Sequence, residues 1–184
     1  MRKTGTLDER PADAAPQPAA SALDRYEAAK LRRATLADAA ALAALYRAAH
    51  DARDATRCED EVASETEASM LEWLGRGGGL VLQDASGAFL CALRWRERDG
   101  GWQLDTVATR PEARGQGYGR WLMTQLEALA IRANIPTLTL ELSEARDDLL
   151  AYYGRMGYAA QEADPATGIL TLSKRVGGTW QYKR

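Results

Sequence analysis

The stretch RPEARGQGYGRWL, residues 110 to 122, sets Gly115, Gly117 and Gly119 at alternate positions between Arg114 and Arg120 and then turns apolar. Glycine in an ordered segment costs roughly 0.5–1 kcal/mol relative to alanine, so a cluster points to a backbone geometry or a ligand that requires it. A glycine-rich loop opening a helix brings backbone N–H groups up to a ligand unobstructed, and the helix N-terminus adds about half a positive charge. With Arg114 and Arg120 beside it, the chemistry expected is capture of a phosphate or pyrophosphate.

Other site chemistries are thinly represented. A nucleotide P-loop ends in Gly-Lys-Ser/Thr, and the chain has no Gly-Lys pair. A dinucleotide fingerprint wants a small residue three places after Gly117, where Arg120 stands; Glu141 would be its ribose carboxylate. The single histidine, His50, falls in an alanine-rich helical pattern far from any nucleophile motif and reads as a solvated helix residue. Two cysteines, Cys58 and Cys91, build neither a disulfide scaffold nor a zinc finger, and no metal is expected.

The elements that would position the loop follow from periodicity. Residues 1 to 29 hold half of the six prolines amid alanine and charge and read as a disordered tail. Residues 30 to 184 read as one domain. Leu31 to Ala34 suit a short strand, and Thr35 with Asp38 resembles a capping box before a helix whose stripe is Leu42, Leu45, Tyr46 and Ala49. A second helix is expected over SETEASMLEWLGR, boxed by Ser64 and Glu67 and stopped by the glycines at 75 and 77 to 79. GLVLQ, AFLCALRWRER and WQLDTVAT, separated by DASG and DGG, predict an antiparallel meander. Leu122, Leu126, Leu129 and Ala133 mark a helix after the loop. TLTLELS predicts a strand, EARDDLLAYYGRMG a helix closed by Gly157, and GILTLSKRV a last strand partnered by YAAQEA. The plan is α/β, a mixed and mostly antiparallel sheet flanked by helices.

At 184 residues and a net charge of -2, the chain fits one domain and disfavours nonspecific nucleic-acid binding, which needs many cationic contacts. No apolar run approaches the ~18 residues of a membrane span, and reduced thiols without a signal peptide fit the cytoplasm.

VATRPEARGQGYGRWL resembles the acyl-CoA-binding motif of the GNAT acetyltransferase superfamily, and LAYYGRMGY resembles that family's Tyr-x-x-x-Gly-Phe/Tyr signature, here Tyr153, Gly157 and Tyr158. The resemblance runs from about Lys30 to Val176 and implies the family's fold, with acetyl-CoA as co-substrate and direct acetyl transfer to a primary amine. Val107, Ala108 and Thr109 would then lie where the fourth strand splays from the fifth, their backbone pairing with pantetheine and polarising the thioester carbonyl. Backbone amides of Arg114, Gly115, Gln116, Gly117, Tyr118, Gly119 and Arg120 would hold the pyrophosphate.

Tyr153 is the expected general acid, a phenol with a reference pKa near 10 that stays protonated at neutral pH, while its neighbour Tyr152 reads as a core residue. Some relatives place a glutamate base where this chain has Gln103, which cannot accept a proton. Asp105 on the same strand face and Glu141 on the next strand are the alternatives, beside a water chain with no single base. Arg146 stands where many relatives have a cofactor-binding asparagine, and could reach a phosphate or face solvent. The acceptor, a small-molecule or protein amine, would meet the first two helices, their connection and residues 158 to 170. The acidic run DARDATRCEDEVASETE would suit a cation there, or be a solvated surface. Trp73, Trp95 and Trp102 read as core. A homodimer through the later strands and GGTWQYKR is implied by resemblance alone. A non-catalytic acyl-CoA-binding sensor or interaction module is the second reading, motivated by Gln103.

Overall fold

The computed structural model describes residues 29–51, 65–161 and 163–177. Nearly all of the expected tail, Cys58, most of the acidic run and the last seven residues lie outside them. The chain runs β1 (Lys30–Arg33), α1 (Ala39–Asp51), α2 (Glu67–Arg76), β2 (Gly77–Gln83), β3 (Phe89–Arg98), β4 (Gly101–Thr109), α3 (Tyr118–Arg132), β5 (Thr137–Ser143), α4 (Asp147–Arg155), β6 (Ala159–Ala160) and β7 (Ile169–Arg175). This is the order that periodicity and turn residues predict.

A seven-stranded sheet in the order β1-β2-β3-β4-β5-β7-β6 carries these elements. β1 pairs antiparallel with β2 across the two intervening helices, and β2 to β4 form the expected antiparallel meander. Its Asp99-Gly100 turn has positive φ at both residues, 52° and 73°, as a two-residue Asp-Gly hairpin turn requires. α3 crosses over to bring β5 parallel to β4, and β7 returns antiparallel to β5 with β6 at the edge.

Each face of the sheet is sealed by the apolar stripe of a helix. Leu42, Leu45, Tyr46 and Ala49 of α1, with Met70 of α2, pack on Val81, Ala92 and Ala108. Leu122, Met123 and Leu126 of α3 pack on Leu82, Leu93, Leu104 and Leu138, a cluster that also takes in Tyr153 of α4.

The N-terminal end of α2 departs from expectation. Its cap is Thr66, whose Oγ1 accepts from the Ser69 amide at 3.1 Å while Ser69 Oγ accepts from the Thr66 amide at 3.0 Å. The reciprocal box therefore sits two residues beyond the expected Ser64–Glu67 pair, of which Ser64 lies outside the described residues. At the other end the helix stops as expected, with Gly77 as its C-cap, although Gly75 lies inside it, and Gly77–Gly79 go on to begin β2. A Cβ on Gly77 would lie 2.1 Å from the Trp95 carbonyl oxygen, and one on Gly78 2.4 Å from the Trp95 indole. The glycines are there because β3 presses against them. Trp95 in turn stacks on Trp102 with ring centroids 4.9 Å apart, and both are buried as expected.

Candidate active site

β4 and β5 pair only at Trp102–Leu138, Gln103–Thr139 and Leu104–Leu140, although β4 continues to Thr109 and β5 to Ser143. The cause is a bulge. Arg94 of β3 is opposite Thr106 and Trp95 is opposite Leu104, so Asp105 is an extra residue. Such an insertion bends its strand and raises the local twist. The sheet opens as a wedge between the C-terminal ends of β4 and β5, and Asp105 and Glu141 each stand one residue past the last pair.

The glycine loop lies beyond the open end of β4. A 3-10 turn at Pro111–Ala113 leads into it. Gly115 and Gly117 hold φ of 72° and 84°, the left-handed region that side chains avoid. Gly117 is the N-cap of α3, and no side chain caps the helix there. The first-turn amides have no carbonyl four residues back within the helix, which makes them donors for an anion. Gly119 is a different case. A Cβ on it would meet Thr109 Oγ1 at 3.6 Å, Val107 Cγ1 at 3.8 Å and the Tyr152 hydroxyl at 4.0 Å, ordinary contact distances. Its missing side chain leaves room rather than relieving strain.

That room belongs to a cavity of about 430 Å³ lined by Thr109, Ala113, Arg114, Gly115, Gly117, Tyr118, Gly119, Arg120 and Tyr152. Two guanidinium groups, an uncapped helix start and glycines at close approach fit a pyrophosphate. Of the residues expected here, Gln116 is not in the lining; its Nε2 donates to the Glu112 carbonyl at 3.3 Å. Ala108 is buried against the α1 face, so it can offer only backbone. Arg114 Nη2 donates to the Ala49 carbonyl at 2.6 Å, tying the loop to the last turn of α1.

The two adjacent tyrosines of α4 have different surroundings, although both pack with the core. Tyr152, read as core, lines the cavity, and burial raises its hydroxyl pKa, which keeps it a donor at neutral pH. Tyr153 is 9% exposed, its ring edge-on to Tyr152 and Tyr158 at centroid distances of 5.1 and 5.8 Å.

Neither expected carboxylate stands alone. Asp105 Oδ2 accepts from Arg94 Nε at 2.6 Å and from Thr106 Oγ1 at 3.0 Å. Arg94 also donates to buried Glu65 at 2.6 Å, with its guanidinium 4.5 Å from the Trp73 ring and 5.0 Å from that of Tyr46. Burial works against the Arg94 charge, but Glu65 and Asp105 outweigh it and raise its pKa. Glu141 Oε1 accepts from Arg98 at 3.1 Å. Buried Gln103 accepts at Oε1 from both Arg96 and Arg98, at 3.0 Å each. Arg146 holds both oxygens of Asp148, at 2.7 and 2.6 Å, and its buried Nη1 has no partner among the described residues. The arginines of β3 are the feature not anticipated, though the alternation in RWRER, which puts every second residue on one face, carried the signal.

His50 is half-buried in the last turn of α1. Among the described residues no group of His, Cys, Asp and Glu is gathered to hold a metal, and no helix is long and apolar enough to cross a membrane.

No curated protein sequence matches the chain. Solved structures do. PaiA N-acetyltransferase from Thermoplasma acidophilum, in complex with coenzyme A, superimposes with a TM-score of 0.69 at 13% identity, over 80% of this chain and 98% of that one. The ribosomal-protein-S18-alanine N-acetyltransferase of Escherichia coli gives 0.66 at 16% identity, over 85% and 99%. A phosphinothricin acetyltransferase from Sinorhizobium meliloti, in complex with AcCoA, gives 0.64 at 21%, over 82% and 89%. At such identities the likeness is one of fold. The sequence pattern of the Acetyltransferase (GNAT) family matches residues 40–158, which span the wedge, the glycine loop and both tyrosines. The chain is a member of the GNAT acetyltransferase family.

Proposed function

We propose that the protein moves an acetyl group from acetyl-CoA to a primary amine by direct attack. The observation that carries this reading is the cavity at the start of α3, where Arg114, Arg120 and the glycine backbone stand ready for a pyrophosphate beside the wedge between β4 and β5. Similar folds solved with coenzyme A or AcCoA support the same donor.

In this reaction the amine nitrogen attacks the thioester carbonyl carbon and the C–S bond breaks. The amine gives up one proton and the departing sulfur takes one. Backbone N–H groups of the unpaired part of β4, Val107 to Thr109, would polarise the carbonyl as fixed donors. Tyr153, at the family's spacing from Gly157, is the proposed acid, and Tyr152 forms the wall of the cofactor cavity. Asp105 and Glu141, at the start of the wedge, are proposed to share the removal of the amine proton through a water chain, with neither acting as the single base.

A module that binds acyl-CoA without turnover is the second reading. It draws on Gln103, which is already occupied by two arginines and cannot act as a base. Calorimetric titration with acetyl-CoA, with NAD as the comparison ligand, followed by a thiol-release assay across a panel of amines, separates the two. Saturable binding of acetyl-CoA with amine-dependent thiol release upholds the transferase. Binding without release by any amine favours the module. No binding of acetyl-CoA removes both.

A further inference from the structure

Three arginines of β3, Arg94, Arg96 and Arg98, share the sheet face that α1 and α2 cover, and their charges are met unequally. Arg94 is held by Glu65 and Asp105, and Arg98 by Glu141. Arg96 has no carboxylate partner among the described residues. Its Nε donates to Gln103 Oε1 at 3.0 Å, and its guanidinium lies 5.5 Å from the centre of the Trp73 ring. Those two contacts orient the fork without neutralising it.

Arg96 lines a cavity of about 260 Å³ between α2 and β3, together with Ser69, Glu72, Trp73 and Arg76. Glu72 is paired with Arg76 at 3.0 Å, so the lining carries one uncompensated positive charge, that of Arg96. We infer that this cavity receives a carboxylate borne by the acceptor amine, and that Arg96 is the residue that selects it. The inference rests on the transferase reading and names the class of its acceptor.

The chemistry of each wall agrees. A guanidinium fork matches a carboxylate with two parallel hydrogen bonds, and a single positive charge suits a monoanion. The Trp73 ring offers an apolar surface to the carbon chain that joins carboxylate to amine. Arg96 faces Gln103, two residues short of Asp105 where the sheet opens, which is about 7 Å along the strand. An acceptor with several bonds between its two charged ends spans that interval. Gln103 also acquires a reason. A glutamate there would neutralise Arg96, whereas the amide oxygen orients it and leaves its charge for the ligand.

Acceptors matched except for one charge test this: 6-aminohexanoate against 6-aminohexanamide, and Gly-Glu amide against Gly-Gln amide. The carboxylate member of each pair is expected to have a kcat/KM at least about tenfold higher, chiefly through KM. Arg96→Gln should bring the members of each pair within about twofold, and Gln103→Glu should narrow the gap in the same direction. Acetyl-CoA binding by calorimetry checks that both variants are folded. Equal turnover of the two members, a preference for the amide, or a preference that survives Arg96→Gln overturns the inference. Saturation-transfer NMR with the same four compounds reads the cavity without turnover. Charge-dependent binding lost in Arg96→Gln, in a protein that acetylates nothing, upholds the cavity while the transferase reading fails. Absence of such binding overturns the cavity.

Discussion

Arg94 Nη2 lies 2.5 Å from Asp105 Oδ2, so the cation of one strand sits on the bulged residue of the next. The same nitrogen is 2.6 Å from Glu65 just ahead of α2, and the Arg94 and Glu65 side chains are only 8% and 6% exposed. Arg94 thereby fastens the entry of α2 to the place where β4 turns away from β5. Breaking a buried pair by removing one partner strands the other charge, at a cost of about 3–5 kcal/mol. Arg94→Met should lower unfolding stability by that amount in urea titrations. A loss under about 1 kcal/mol would mean that the triad of charges does not hold the bulge.

The same pairing bears on proton removal from the amine. Asp105 and Glu141 are each engaged by an arginine, Asp105 by Arg94 and Glu141 by Arg98, so neither carboxylate is held for the amine alone. Asp105→Asn and Glu141→Gln are each expected to lower kcat/KM by less than about tenfold, short of the 10²–10⁴ that a positioned general base supplies. The rise of rate with pH should persist in both variants, because it follows deprotonation of the amine itself. A hundredfold loss in either variant, with that limb of the profile displaced, would identify the base.

Tyr152 and Tyr153 separate by a similar contrast. If Tyr153 donates to the departing sulfur, Tyr153→Phe should lower kcat about a hundredfold or more while acetyl-CoA affinity holds. Tyr152→Phe removes one hydroxyl from the cavity wall and should change kcat by no more than about threefold. The reverse result would move the acid to Tyr152.

The two readings of that tyrosine pair show where the sequence stops being informative. Neighbouring helix residues point about 100° apart, so which one meets the cavity depends on how α4 docks, and no local pattern encodes that. Gly77–Gly79 were legible only in part for a similar reason. In the sequence they look like a helix stop, and Gly77 is one, but they also open β2 against the Trp95 backbone and ring on the neighbouring strand. The Arg94–Glu65 contact joins segments 29 residues apart, beyond the reach of periodicity. By contrast, the element order was legible because each helix buries one stripe and each hairpin is marked by its turn residues. The glycine loop was legible because a plain strand-to-helix turn needs one glycine or two, and this one has three between two arginines. The bulge at Asp105 was not, since strict alternation passes over an inserted residue.

Two glycines of the loop should respond oppositely to alanine. Gly117 has a φ of 84°, and placing a side chain there costs about 1–2 kcal/mol. Gly119 lies in the first turn of α3 with its nearest neighbours at 3.6 Å or more. Gly119→Ala should be neutral or stabilise the protein by up to about 1 kcal/mol, through better helix propensity. A longer side chain there would grow between β4 and Tyr152, into the cavity proposed for the cofactor. Gly119→Leu should therefore stay folded yet bind acetyl-CoA at least about tenfold more weakly, as read by calorimetry. Undiminished affinity in Gly119→Leu would show that the cofactor does not pass there.

Acid stability should depend on Asp38. Arg32 Nη1 and Nη2 each donate to this carboxylate at 2.7 Å, and the Thr35 amide and hydroxyl add bonds at 2.7 and 2.9 Å. Chiefly through Arg32, these hold its pKa at about 2, below the ordinary 3.8. A carboxyl whose folded pKa is the lower one stabilises the fold fully above its unfolded pKa and loses that effect as pH falls through the folded value. The side chain is 11% exposed, so solvent screens the contribution little, and the shift corresponds to about 2 kcal/mol. Asp38→Asn should cost about that much at neutral pH, and the gap from the unsubstituted protein in urea titrations should close between about pH 4 and pH 2. A gap that stays constant down to about pH 2 would assign the stabilisation to hydrogen-bond geometry, which the amide also disturbs, and not to the charge.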